Sequence, residues 1–239
     1  MTVFGRKPVL EALADRRLDV DKVILADNAR GAAAKEIIDA AGARSVRVER
    51  ASAHRVKVLA GNGKQDQGVL ADVVAPRMRR LDDALARRPA RVLVLDGVTT
   101  PANVGMILRT ATAAGVEGIV VPRRGVASID PLVVKASAGV AFHAPILRCY
   151  TAEEACRALR DAGYPLYALA GDARQSLFDA QLPRRAAYVL GGETDGVSEE
   201  VRRLVTGLLS IPMAGGVESL NVASAAAVLC FDLVRRGTQ

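Results

Sequence analysis

From Arg91 onward the chain repeats one pattern: a short, almost wholly apolar run, a loop, then a longer stretch with helical spacing. Val92–Leu95, Gly118–Val121, Leu166–Leu169 and Tyr188–Leu190 are the apolar runs. Strands that are apolar on both faces need cover on both faces, and parallel strands need long crossovers. The alternation therefore predicts an α/β fold built on a mostly parallel sheet with helices on each side. A helix is expected over about 104–114. Another, Val222–Val234, ends in Arg235 and Arg236, cations suited to a helix C-terminus.

The N-terminal third alternates on a smaller scale. Val9, Leu10 and Leu13 give helical spacing over 8–18, followed by a strand at Val23–Leu25, a helix at Ala32–Ala41 and a strand at Val46–Val48. His54–Leu59 reads as a helix, Gly61-Asn62-Gly63 as a turn, and Gly68–Val74 as the strand that closes a small domain. The chain's 239 residues accommodate two domains. The expected division is 1–75, a linker at 76–90 with a short helix around Leu81–Ala86, and 91–239.

Charge narrows the class of partner. The net charge is +7, and the linker alone carries five basic and two acidic residues. Such a balance favours a polyanion. The stretch Pro76-Arg77-Met78-Arg79-Arg80 reads either as a solvated face or as a phosphate contact. Cys149, Cys156 and Cys230 lack the spacing of a disulfide framework or a zinc site, which fits a reducing compartment and predicts no metal. No apolar run is long enough for a signal peptide or a membrane span, so a cytoplasmic protein is expected. His54 and His143 are the only histidines and lack the context of a catalytic base. Eight aromatic residues leave little for base-stacking platforms.

Three segments carry candidate chemistry. In Asp96-Gly97-Val98-Thr99-Thr100-Pro101-Ala102-Asn103-Val104-Gly105-Met106-Ile107-Leu108-Arg109, Pro101 and Asn103 suit a helix start. Arg109 is either a phosphate fork or an ordinary surface arginine. In Gly191-Gly192-Glu193-Thr194-Asp195-Gly196-Val197-Ser198, directly after a strand, glycine lets backbone approach a ligand closely, and Ser198 reads as a helix N-cap. In Ile211-Pro212-Met213-Ala214-Gly215-Gly216-Val217-Glu218-Ser219-Leu220-Asn221, the polar residues Ser219 and Asn221 read equally as the N-cap of the last helix or as part of a cofactor loop.

In this order and together, the three segments resemble the signature motifs of the SpoU (TrmH-like) family of SPOUT RNA methyltransferases. The resemblance spans about Arg91 to Arg236. Residues 1–75, with Phe4-Gly5-Arg6-Lys7-Pro8 and Gln67-Gly68-Val69, resemble that family's L30e-like substrate-binding domain. The resemblance implies a deep C-terminal trefoil knot, a homodimer whose interface helps form the active site, and S-adenosylmethionine (SAM) as cofactor. It implies catalytic roles for Asn103, Arg109, Glu193, Ser219 and Asn221, and cofactor contacts from Gly191, Ile211, Met213, Leu220 and Asn221. One departure is Gly192, where many family members have asparagine.

The implied reaction is 2'-O-methylation of a ribose in RNA, with arginine acting on the hydroxyl. A guanidinium is effectively always protonated, so Arg109 is expected to bind the target phosphate and to stabilise alkoxide charge rather than to take the proton. Asn103, Glu193, Ser219 and Asn221 are expected to orient the ribose or shape the knot. The short N-terminal domain and basic linker resemble the ribosomal branch of the family, which favours large-subunit rRNA over tRNA. The alternatives are a tRNA 2'-O-methyltransferase and a non-catalytic RNA-binding protein that keeps the fold.

Overall fold

The computed structural model describes residues 1–60 and 66–237. The turn expected at Gly61-Asn62-Gly63 lies outside the described residues. The chain forms two compact units, one of Met1–Pro76 with Ile129–Lys135 and one of Arg77–Ser128 with Ala136–Gln239.

The first unit contains β1 (Thr2–Phe4), α1 (Arg6–Ala14), β2 (Asp19–Ala26), α2 (Ala32–Gly42), β3 (Arg47–Ala51), α3 (Ala53–Ala60) and β4 (Val69–Val74). Its four-stranded sheet runs β1-β4-β2-β3, antiparallel except for the parallel pair β2 and β3. Phe4, Ile24, Ala26, Val56 and Leu70 form one buried cluster. Helix α1 stops at Ala14, short of the expected 18. The Asp15 carboxylate accepts the Arg17 backbone N–H at 3.0 Å, and the Arg44 guanidinium donates to the carbonyls of Ala12, Leu13 and Asp15. A cation that collects orphaned carbonyls ends a helix as effectively as a glycine does, and spacing of apolar residues does not reveal it.

The second unit contains β5 (Arg79–Arg80), α4 (Leu81–Leu85), β6 (Arg91–Leu95), α5 (Pro101–Ala113) and β7 (Gly118–Val120). After α6 (Pro131–Ala136), whose residues through Lys135 belong to the first unit, come β8 (Ile146–Arg148), α7 (Ala152–Asp161), β9 (Leu166–Leu169) and β10 (Gln175–Ser176). They are followed by β11 (Ala186–Leu190), α8 (Glu199–Arg202), β12 (Gly207–Ser210) and α9 (Val222–Gly237). The sheet order is β10-β12-β9-β11-β6-β7-β8-β5, and every pairing is parallel. The predicted parallel sheet is therefore present, with eight strands.

Both faces of that sheet are covered. Val92, Val94, Val120, Ala187 and Val189 pack with Ala155, Cys156 and Leu159 of α7 and with Val201 next to α8's end. Leu93, Leu95, Ile119 and Tyr188 point the other way by strand alternation and are equally buried. At about 1.5–3 kcal/mol for each large side chain removed from water, this double-sided burial is the main cohesive term. Leu81 and Ala84 of α4 join the same core, and β5 pairs with β8, so the basic stretch after Pro76 contributes a sheet edge and a buried helix face.

Helix α9 packs against α5 and is pinned at its C-terminal end. Asp232, 6% exposed, pairs with Arg235 at 2.8 Å and with Arg236, while Arg236 also donates to the carbonyls of Leu177, Phe178 and Ala180. Asp232→Ala is expected to lower stability by about 2 kcal/mol, because it leaves neighbouring guanidiniums without their shared carboxylate. The urea midpoint, at unchanged m-value, measures this.

The three thiols are structural. Burial pushes Cys149, Cys156 and Cys230 each up to about 12. At pH 8 such a thiol is ionised in roughly one molecule in 10,000. Native protein at pH 8 is expected to resist iodoacetamide for hours, and urea-unfolded protein to alkylate at all three positions; rapid labelling of the native form, followed by mass spectrometry, contradicts this.

Candidate active site

In an all-parallel sheet the carboxyl ends of the strands share one edge, and the loops that leave them build ligand sites. Here the loops after β9, β11 and β12 enclose a cavity of about 850 Å3. Leu169 to Asp172, Leu190 to Glu193 and Leu209 to Met213 line it, and the run Val217 to Val222, leading into α9, closes it. Leu190, Ile211, Leu220 and Val222 are apolar walls, glycines at 171, 191 and 192 expose backbone, and carboxylates stand at Asp172, Glu193 and Glu218. A mostly apolar pocket of this size with a few polar groups suits a nucleoside-sized ligand. Arg202 hydrogen-bonds Asp172 at 2.6 Å and holds its carboxyl below the usual carboxylate range.

At the lip, three side chains close a triangle. Asn103 Nδ2 donates to Glu193 Oε1 at 2.7 Å, Asn221 Nδ2 donates to the same oxygen at 2.9 Å, and Asn221 Nδ2 also donates to Asn103 Oδ1 at 3.1 Å. An ionised carboxylate is acceptor-only, so both amides must present their nitrogens to it. Thr100 Oγ1 donates to Glu193 Oε2 at 3.3 Å. Asn103 is 4% exposed, so Glu193 satisfies a donor that water scarcely reaches.

Local structure explains each placement. Pro101 occupies the first position of α5, which leaves Asn103 in the first turn facing inward. Asn221 Oδ1 accepts the backbone N–H groups of Ala223 at 2.8 Å and Ser224 at 3.4 Å, so Asn221 caps α9 with its oxygen while its nitrogen serves the triangle. Asn221 thus caps α9 and also lines the cavity. Ser219 lines the cavity and makes no hydrogen bond among the described residues, so it is not the cap.

The glycine loop is held by contact as well as by conformation. Gly192 and Gly196 exchange backbone hydrogen bonds at 2.9 and 3.1 Å. A Cβ on Gly191 would lie 2.2 Å from the Gly196 carbonyl carbon, and one on Gly192 would lie 2.5 Å from the Gly97 carbonyl oxygen. The missing asparagine at 192 thus has a steric counterpart: Gly97 occupies the space its Cβ needs. Asp96, at the carboxyl end of β6, accepts the Ser198 backbone N–H at 2.8 Å and ties down the far end of the loop. Ser198 is the N-cap residue of α8, as the sequence suggests, and its carbonyl accepts the Arg202 N–H at 2.8 Å, but its side chain makes no capping hydrogen bond.

Gly191, Ile211, Met213 and Leu220 all line the cavity, as does Asn221. Arg109 stands apart. It lies six residues beyond Asn103, about 120° around α5, is exposed, and has no hydrogen-bond or ion-pair partner among the described residues. Thr100, Asp96, Gly97 and the loop after β9 were not singled out from the sequence. The rule that ligands sit at strand carboxyl ends, applied to Leu95 and Leu169, reaches Asp96, Gly97 and the loop after β9.

Comparison with known proteins agrees with this geometry. Residues 90–231 match the SpoU rRNA Methylase family, and residues 2–79 match the RNA 2'-O ribose methyltransferase substrate binding family. The chain is 35% identical over 240 residues to the 23S rRNA (guanosine-2'-O-)-methyltransferase RlmB of Xanthomonas axonopodis pv. citri (strain 306), covering 98% of this chain and 96% of that protein. It is 34% identical over 242 residues to the protein of the same name from Xylella fastidiosa (strain 9a5c), covering 99% and 96%. The SpoU methyltransferase AviRb from Streptomyces viridochromogenes, solved in complex with the cofactor AdoMet, has a TM-score of 0.70 at 27% identity, covering 100% of this chain and 91% of that one. A parallel sheet whose carboxyl edge carries the cavity, and a family match across residues 90–231, lead to one assignment: the chain belongs to the SpoU rRNA methylase family of RNA methyltransferases.

Proposed function

We propose that this enzyme transfers the methyl group of SAM to the 2'-hydroxyl of a guanosine ribose in large-subunit (23S) rRNA, in the cytoplasm. The observation that carries the reading is the Asn103–Glu193–Asn221 triangle at the lip of the cavity. The end-to-end similarity to relatives named for that substrate supports the choice of rRNA and base.

The cavity's donor set fits SAM. Apolar walls at Leu190, Ile211 and Leu220 suit an adenine ring, glycine backbone suits its polar edge, and the carboxylates suit a cation. Gly191, Ile211, Met213, Leu220 and Asn221 hold the cofactor in this reading. Bound there, SAM supplies an electrophilic methyl group whose departure leaves a neutral thioether, so no protein acid is required. The chain's own task is to orient the ribose hydroxyl and to help its proton leave. The triangle fixes the lip, Ser219 offers a free hydroxyl beside it, and Arg109 holds the target phosphate and stabilises oxyanion charge. The proton goes to water or phosphate, since guanidinium does not accept it.

A second copy of the chain accounts for the position of Arg109. Met106, 40% exposed, and Arg109 share one face of α5, and Phe231, 52% exposed, stands on the α9 helix that packs with it. Pairing of these helices in a homodimer covers the apolar side chains and delivers Arg109 to the partner's triangle. The trefoil knot belongs to the same proposal. It is supported by the strand order, in which β11 enters between β6 and β9, and by the passage of the 211–221 segment across the ends of earlier strands before α9 returns to α5. The first unit, L30e-like in this reading, is the RNA-docking domain, supported by its match to a substrate-binding family.

Transfer of tritium from labelled SAM to total rRNA and to total tRNA from a deletion strain, followed by nucleoside analysis, tests the reaction. The expected product is 2'-O-methylguanosine in rRNA. Label confined to tRNA, or to another base, overturns the substrate, and SAM binding without transfer to naked RNA or ribosomal particles overturns the enzyme. The shared site has its own test. Arg109→Ala and Asn221→Ala are each expected to be inactive as homodimers. Subunits exchanged in equal amounts should recover about a quarter of wild-type activity, because half the dimers are mixed and each mixed dimer holds one intact site of two. No recovery argues that Arg109 serves its own chain.

A further inference from the structure

A second cleft, of about 350 Å3, lies at the same carboxyl edge of the eight-stranded sheet, beyond β7. Arg80 ends β5 and Arg148 ends β8, and the two are register partners in the parallel pair. Register partners present their side chains to the same face, so like charges here repel. Arg123, three residues past β7, lines the cleft as a third guanidinium.

The acidic residues nearby do not neutralise this group. Glu154 completes the capping box of α7, accepting the backbone N–H groups of Tyr150 at 3.0 Å and Thr151 at 3.4 Å. Asp82 reaches only Arg80, at 3.6 Å, with both side chains more than 70% exposed. Arg148 donates to the Val121 carbonyl at 2.8 Å, and neither it nor Arg123 has a carboxylate partner among the described residues. Burial, with Arg123 beside it, holds the Arg148 guanidinium below its ordinary value. A half-buried guanidinium at Arg148 beside the exposed one at Arg123, neither with a carboxylate partner among the described residues, gains from an anion with several oxygens. Tyr150, 60% exposed, borders the cleft and offers a ring face for a sugar or base.

We infer that the cleft of Arg80, Arg123 and Arg148 is a second RNA-binding site that grips a backbone phosphodiester of the substrate, away from the methylated nucleotide. The inference rests on the proposed RNA methyltransferase reading and adds a substrate contact to it. The geometry favours one RNA strand spanning both sites. β8 lies two strands from β6 and β5 lies three, so at about 4.8 Å per strand the cleft sits on the order of 10–14 Å along the sheet edge from the end of β6. That is a reach of a few nucleotides.

The test uses the full-length protein, the variants Arg123→Ala, Arg148→Ala and the double variant, and Arg123→Lys as the charge-retaining control. Binding to total rRNA is measured over a salt series, which does not require activity. The double variant is expected to bind at least 10-fold more weakly, with the slope of log affinity against log salt smaller by about 1–2. SAM affinity should be unchanged, the KM for rRNA raised, and kcat retained, while Arg123→Lys keeps the slope. Should Arg148→Ala fail to fold, the exposed Arg123→Ala alone carries the same expectation with a slope change of about 1. Unchanged affinity and slope overturn the site. Stabilisation of wild type but not the variant by inorganic phosphate, with RNA binding unaltered, overturns the RNA assignment in favour of a small anion. Wild-type protein that binds rRNA through the cleft yet methylates no RNA refutes the methyl-transfer reading and leaves the cleft standing.

Discussion

The Glu193 carboxylate is the acceptor on which three separate parts of the chain converge. It comes from the loop after β11, yet its partners are the first turn of α5, 90 residues earlier, and the cap of α9, 28 residues later. Both partners sit at helix N-termini, where the backbone dipoles favour a negative charge. The carboxylate is therefore the one group in the triangle that both amides and both helices stabilise. Without it the Asn103 amide is left with an unmade hydrogen bond in a place water scarcely reaches, at a cost of about 1–3 kcal/mol. That acceptor ties the start of α5 and the start of α9, which also pack directly on one another, to the loop after β11 that lines the cavity.

The parallel sheet sets where such a group can work. Every strand of the second unit points its carboxyl end to one edge, so loops distant in sequence converge there without being neighbours in the chain. The absence of side chains at Gly191 and Gly192 lets backbone there pack against Gly196 and Gly97 at distances no Cβ tolerates. The loop is thus rigid because it is close-packed backbone, with Asp96 fixing its far end, and the polar groups it exposes are pre-positioned.

What could be read in advance followed from periodicity and local chemistry. The runs at Val92–Leu95 and Leu166–Leu169 are strands because their residues are apolar on both faces, and sequence alone carries that property. Asn103, Glu193 and Asn221 were picked out as members of segments; that one oxygen of Glu193 serves both amides required the fold. Short edge strands such as β5 and β10, two residues each, carry no periodicity at all. The end of α1 was missed because its cause, Arg44, acts from about thirty residues away. Ser198 stands at the N-cap of α8, where its residue type suggests, yet its backbone N–H is claimed by Asp96 and its hydroxyl does no capping.

The placement of Arg109 makes physical sense only against the rest of the site. A permanent cation next to Glu193 would pair with it, compete with Asn103 and Asn221 for the same oxygens, and spend its charge on the protein. Kept on the exposed face of α5 beside Met106, it spends its charge on no carboxylate among the described residues. In the proposed homodimer the triangle and the arginine are two halves of one reaction centre on different chains, so neither neutralises the other until RNA lies between them. Electrostatic preorganisation of this kind needs the cation fixed before the negative charge develops, and a residue on a packed helix such as α5 has that rigidity where one on a flexible loop does not.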